Sequence, residues 1–249
     1  MDSSLAYSIN KRTKEMNLPP IFVLCNPLQE SVRYTLLQEQ FQKIGIDPDK
    51  HVEYVHGTWG SDLTSEEAFA VWDPYQKRFG LDKLINFKGT ALTKGELSLN
   101  TAFAKVVQKG LASNAECILV FESDIVLRSD FLQRFQEVMA CANGMTWDYI
   151  SLGEGVNTRP PGREWTSYFA PTAVCEPPKH PWVFRCCDSM VLHRRFLEKL
   201  AVTFLPFREA LDWELNVQLL LHKGKALWVD PPLVEAGSGR NRALTSLPS

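Results

Sequence analysis

The chain has 249 residues, with 27 Lys+Arg against 29 Asp+Glu, a formal charge of -2 and only 22% of positions charged. Holding nucleic acid by neutralising phosphates needs a clustered basic excess, which this balance does not provide, so no nucleic-acid partner is expected. At 45% hydrophobic and 11% aromatic the chain has apolar surface for a core, and its length suits one large domain or one with a small appendage.

Residues 1–17 show no apolar periodicity and read as a flexible leader; they also lack the apolar stretch of a secretory signal. Order is expected from residue 18. Ile21-Phe22-Val23-Leu24-Cys25 is a continuous apolar run, the pattern of a strand buried on both faces. Asn26-Pro27 follows as an N-cap with proline at the first helical position, and Val32, Leu36, Leu37, Phe41 and Ile44 recur at helical spacing up to Gly45. Asp47-Pro48-Asp49 has turn composition, and Val52–Val55 reads as a second strand.

From Gly57 to Lys88 the sequence carries Trp59, Phe69, Trp72, Tyr75 and Phe79 without a long period, and reads as a loop-rich insertion with short helical fragments. Thr93-Lys94-Gly95-Glu96 is a capping box that starts a helix through Leu99, Phe103, Val106 and Val107. Cys117–Phe121 is a second wholly apolar strand. After Glu122-Ser123-Asp124 and a short apolar link, Ser129-Asp130 is expected to cap a helix through Phe131, Phe135 and Val138.

Trp147–Gly153 reads as a third strand. The stretch from Glu154 to Pro181 holds six prolines and no period, longer than loops usually run without a function. Asp188–Leu192 and Ala226–Asp230 are further strands, separated by a helix from Asp212 to His222, and residues 241–249 read as a flexible tail. Strands alternating with helices give an α/β fold with a mainly parallel sheet in one domain over residues 18–240, its ligands beyond the carboxyl ends of the strands.

No run of about 18 apolar residues occurs, which excludes a transmembrane helix. Cys25, Cys117, Cys141, Cys175, Cys186 and Cys187 are too sparse for a disulfide scaffold and show no CxxC spacing. Without a signal sequence, reduced thiols and a cytoplasmic location are the expectation. None of GxGxxG, GxxxxGK[ST], GxSxG or HExxH is present, against dehydrogenase, P-loop, hydrolase and zinc-protease readings.

The sharpest chemical feature is Glu122-Ser123-Asp124 at the carboxyl end of an apolar strand. Two carboxylates aimed at one small volume repel each other, and a divalent cation with a preference for oxygen, Mg²⁺ or Mn²⁺, relieves that repulsion. The competing reading is that these acids begin a loop and cap the next helix. Asp212, at the start of its helix, fits either an N-terminal cap or a general base toward an acceptor hydroxyl. Glu214 lies two residues on, about 200° around the helix, so only one of the two can face a site. Arg33 fits a contact to a nucleotide diphosphate or a solvated surface arginine, and Gly237-Ser238-Gly239-Arg240 fits a phosphate-wrapping turn or a tail.

Six blocks in order carry a likeness: Ile21–Ile44, Leu92–Val107, Leu119–Asp130, Trp147–Gly153, Asp188–Leu200 and Asp212–Leu215. Together they resemble glycosyltransferase family 25. The resemblance implies a GT-A fold, a Rossmann-like nucleotide-sugar domain whose acidic motif binds a diphosphate bridged by Mn²⁺ or Mg²⁺. Glu122, Ser123 and Asp124 fall on that motif, with Ser123 where the family carries an acid, so that Asp124 and Glu122 become the metal ligands. Asn26 and Arg33 join the triplet as donor contacts. Asp212 becomes the base, while Asp188, Glu214 and Trp165 are assigned to the acceptor side.

The implied activity is metal-dependent, inverting transfer of a sugar from a nucleotide-sugar, a UDP-sugar first, to a hydroxyl of a glycan, a lipopolysaccharide-like molecule or a protein-linked glycan. The alternatives are a binding module that keeps the fold without transfer, and a retaining transferase on the same fold.

Overall fold

The computed structural model describes residues 18–77, 92–153, 174–176 and 187–237. The expected leader, residues 1–17, the tail, residues 241–249, and most of the proline-rich stretch lie outside the described residues. A seven-stranded sheet has the order β2-β1-β3-β7-β5-β8-β6. Its strands are β1 (Ile21–Leu24), β2 (Val52–Val55), β3 (Cys117–Glu122), β5 (Tyr149–Ser151), β6 (Val174–Glu176), β7 (Ser189–His193) and β8 (Ala226–Asp230). β2, β1, β3, β5 and β8 run in one direction, and β7 and β6 run against it. The fold is therefore α/β with a mainly parallel sheet, as expected.

Successive residues of a strand point to opposite faces, and each apolar run supplies two layers at once. Ile21 and Val23 of β1, with Leu119 and Phe121 of β3, pack on one face beneath helices α1 (Ser31–Lys43) and α5 (Phe131–Ala142), which bury Leu37, Phe41, Phe131, Phe135 and Val138 there. Phe22 and Leu24, with Ile118 and Val120, face the other way, toward α4 (Lys94–Ala112), α6 (Arg194–Thr203) and α7 (Leu211–Leu221). The result is three layers, helices covering both faces of the sheet.

Several local expectations are corrected. The first helix begins at Ser31 because Asn26 satisfies its neighbours in a turn: its Oδ1 accepts from the Leu28 N–H at 3.1 Å and the Gln29 N–H at 3.3 Å. Val32 is left exposed. Asp130 stands at the start of α5 without a side-chain cap, since its carboxylate is taken by Arg128 and Arg134 at 2.8–3.1 Å, stronger donors than a backbone amide. The link after Asp124 is a strand, β4 (Ile125–Leu127), paired antiparallel with β9 (Val234–Ala236). That partner lies more than a hundred residues away, beyond any local period.

The Thr93 box and Gly45 hold as read, while Thr64 adds a box and Asp47 caps a helical turn where a plain turn was expected. Thr93 and Glu96 form both bonds of the capping box at the start of α4, and Thr64 and Glu67 do the same for α3 (Ser65–Val71) inside the aromatic-rich insertion. Asp47 caps the single-turn helix α2 (Pro48–His51), and Gly45 takes a positive φ of 85° at the end of α1.

The packing on the α4 side turns on Phe103, fully buried, with its ring 5.2 Å from that of Phe204. Phe103→Ala removes a filled volume that rigid helices cannot close, and unfolding in denaturant is expected to show a loss of about 3–5 kcal/mol.

Candidate functional site

The carboxyl end of the sheet is where the sequence places its acids, and the pleat decides which way each one points. Glu122 continues the alternation of Ile118 and Val120, so it turns toward the face that carries α7. Ser123 continues that of Leu119 and Phe121, so it turns toward α1. Asp188, on the alternation of Met190 and Leu192, joins Glu122, and the two strands meet there through a bond from the Glu122 N–H to the Asp188 carbonyl at 2.7 Å.

Glu122 is the centre of one group. Its carboxyl accepts from the Cys187 thiol at 3.0 Å and lies within electrostatic reach of Asp124, Asp188 and Asp212. Burial and then the Asp124 charge push its pKa up to about 8; the Cys187 thiol bond opposes the shift, and Asp188 and Asp212 add smaller upward contributions. Burial also pushes the Cys187 thiol well above its ordinary value, and Glu122 and Asp212 add to the shift. Beneath them is Tyr149, fully buried, its phenol raised first by burial and then by Cys187, Asp188 and Glu122.

Asp188 is buried, and its Oδ1 accepts from the Ser189 hydroxyl at 2.8 Å. Space for it is left by Gly153 at the end of β5: a Cβ on Gly153 would stand 2.0 Å from Asp188 Oδ1.

Asp212 sits in the first turn of α7, half-buried, its Oδ1 accepting from the Trp213 N–H at 2.8 Å, while Ala210 holds the cap position. The helix therefore delivers Asp212 to the Glu122 group. Glu214 is not delivered there. It is fully buried and accepts from the N–H groups of Arg208 and Glu209 at 3.1 and 3.2 Å and from Gln218 Nε2 at 2.8 Å, fastening the segment that leads into the helix.

The second group lies on the α1 side. Ser123 Oγ donates to Glu30 Oε1 at 2.6 Å and accepts from Arg33 Nη1 at 2.9 Å, and the same guanidinium nitrogen lies 3.2 Å from Glu30 Oε1. The other Glu30 oxygen accepts the Asn26 N–H at 2.7 Å. Asn26, Arg33 and Ser123, named from the sequence, are thus brought together, with Glu30 joining them. Gly237, at the end of β9, donates its N–H to the Asp124 carbonyl at 2.5 Å, so the start of the Gly237–Arg240 stretch lies against the acidic turn. Residues 238–240 lie outside the described residues.

On the expected acceptor side, Trp165 also lies outside the described residues. Trp72 donates its Nε1–H to the Arg208 carbonyl at 3.1 Å and stacks on Phe69, tying the aromatic insertion to the segment that precedes Asp212.

Glu30, Cys187 and Tyr149 were not singled out by the sequence. Tyr149 read there as one residue of a strand, Cys187 as one of six sparse cysteines, and Glu30 as one polar residue within the expected first helix. Only the last carried a usable signal, its spacing of three residues before Arg33.

Among the described residues, no group of three or more His, Cys, Asp or Glu side chains is gathered at metal-holding distance. A hard cation that borrows phosphate oxygens from its substrate needs only one or two protein carboxylates. The oxygen donors of Asp124 and Glu122, in a field of further carboxylates, fit such an ion. No described helix is long and apolar enough to cross a membrane.

Two predictions follow from this geometry. Glu122 has a folded-state pKa near 8 against an ordinary value of 4.5. Its protonation therefore supports the fold below about pH 4.5, and that support is lost as pH rises toward 8. With no divalent cation present, the melting temperature should fall across this interval, and Glu122→Gln should flatten the fall. Gly153→Ala should cost about 1–3 kcal/mol in denaturant unfolding, because Asp188 must be displaced.

No protein-family model matches the chain. Among curated proteins, it is similar to the inactive glycosyltransferase 25 family member 3 of Homo sapiens, with 29% identity over 151 residues, which is 51% of this chain and 25% of that protein. The similarity supports at most a chain of glycosyltransferase family 25 type, matched over half its length.

Proposed function

We propose that the protein is a GT-A glycosyltransferase that moves a sugar from a nucleotide-sugar, a UDP-sugar first, to a hydroxyl of a glycan or glycoconjugate, with inversion. The observation that carries this reading is the meeting of Glu122, Asp124, Asp188 and Asp212, from three separate parts of the chain, at the carboxyl end of the sheet. Similarity to a glycosyltransferase 25 family member supports it.

Asp124, with Glu122, would hold Mn²⁺ or Mg²⁺, and a cation there supplies neutralising charge to a departing diphosphate. Asn26 lies just after β1 and Arg33 in the first turn of α1, on the side where a nucleotide would meet the first helix. Asp212 acts as base: its carboxylate takes the proton of the acceptor hydroxyl as that oxygen bonds to the anomeric carbon and the bond to the diphosphate oxygen breaks with its electron pair. Its place in the first turn of α7 sets it at the end of the helix that favours negative charge.

One finding favours a second reading, a module that binds sugar or nucleotide-sugar without transfer: the similar human protein is named as inactive. Incubation with UDP-, GDP- and ADP-sugars, with and without Mn²⁺, separates the two. Metal-dependent release of nucleotide is the expected result, and binding without release would establish the module. Asp212→Asn should lower turnover by about 10²–10⁴, with donor binding kept. Asp124→Asn should abolish the metal dependence, as measured by Mn²⁺ titration.

A further inference from the structure

We propose that Glu30 is a positioning residue for the acidic turn, holding Ser123 with a carboxylate from the start of α1. The inference rests on the reading of Asp124 as a metal ligand only for its functional consequence; the geometry stands without it.

Ser123 uses its hydroxyl twice, as donor to Glu30 at 2.6 Å and as acceptor from Arg33 at 2.9 Å. Glu30 is largely buried, with 10% of its side chain exposed, as is Arg33 with 12%. A buried ion pair persists where further hydrogen bonds satisfy its remaining donors and acceptors. Here they come from Ser123 in the turn after β3 and from the Asn26 N–H in the turn after β1. Glu30 therefore ties two adjacent strand ends to one helix start.

The tie acts on the residue next in sequence. With Ser123 held toward α1, the backbone enters Asp124 from a fixed point, and the Asp124 carbonyl is held in turn by the Gly237 N–H. An acid at position 123 would stand against the Glu30 carboxylate and compete for Arg33. The charge that compensates Arg33 is carried by one of the two positions.

Amide hydrogen exchange of Gly237 reads the tie directly and needs no metal, because this N–H bonds the Asp124 carbonyl. Glu30→Ala should speed exchange at Gly237 about tenfold, the factor set by losing one buried hydrogen bond, and leave the β3 and β7 amides unchanged. Glu30→Gln should give a smaller effect, since its amide oxygen still accepts from Ser123. The double variant Glu30→Gln with Ser123→Asp, which moves the carboxylate onto the turn beside Arg33, should restore slow exchange. Gly237 exchange within twofold of wild type in Glu30→Ala, or no recovery in the double variant, overturns the proposal.

A Mn²⁺ titration of the same proteins adds the functional arm: Kd should rise about tenfold in Glu30→Ala and recover in the double variant. If the wild-type chain takes no Mn²⁺, the metal reading fails, while the exchange data still decide the role of Glu30.

Discussion

The structure depends on how negative charge is accommodated at the carboxyl end of one sheet. Glu122 stands half-buried at the end of its strand, and the charges acting on it from Asp124, Asp188 and Asp212 all oppose its ionisation. Coulomb repulsion in a partly dry site is several times stronger than in water, so the arrangement is stable only if charge is removed or matched. The protein lessens it at Glu122, whose carboxyl burial and the Asp124 charge push up to about 8, against the Cys187 thiol bond, which favours the ionised form. Under the proposed function a cation would match the remainder, which links the electrostatics of the site to that chemistry.

The opposite end of the sheet shows the same residue type under the opposite rule. Asp148 is also buried, and burial pushes its carboxyl up, yet the Lys225 N–H and the Arg195 guanidinium hold it below its ordinary value overall. Those bonds are 2.7 and 2.6 Å long. One end of the sheet has its acid matched by fixed donors of the fold, distant in sequence. The other concentrates acids against each other, and buried groups whose pKa values are pushed apart from the ordinary range gather preferentially at functional sites.

Between these ends, the pleat converts sequence into geometry. A strand that runs apolar on both faces and ends in Glu122-Ser123-Asp124 must send its first two polar residues to opposite sides. Glu122 goes toward α7 and its base candidate, and Ser123 goes toward α1 and the Glu30–Arg33 pair. The two groups share a strand end and remain electrostatically distinct: the Glu30–Arg33 pair balances its own charge, while the Glu122 group carries an excess. Serine at position 123 suits this division, because its hydroxyl serves an ion pair that already contains a carboxylate.

Much of the architecture was legible along the chain because it is encoded locally. The doubly apolar runs at Ile21 and Cys117 gave buried strands, the Thr93 box gave the start of α4, and Gly45 closed α1. Legibility ended where an interaction reached far along the sequence or where two local partners competed. Asn26 chose a turn over a helix cap, Asp130 chose two arginines over an amide, and β4 found a strand more than a hundred residues away. The sequence by itself determined the α/β layering and the presence of acids at a strand end, since period and composition act within a few residues. Only the tertiary structure decided that Asp212 and Asp188 meet Glu122 while Glu214 turns inward, and that Glu30 reaches Ser123, because these follow from strand order and helix rotation, which no short window of sequence contains.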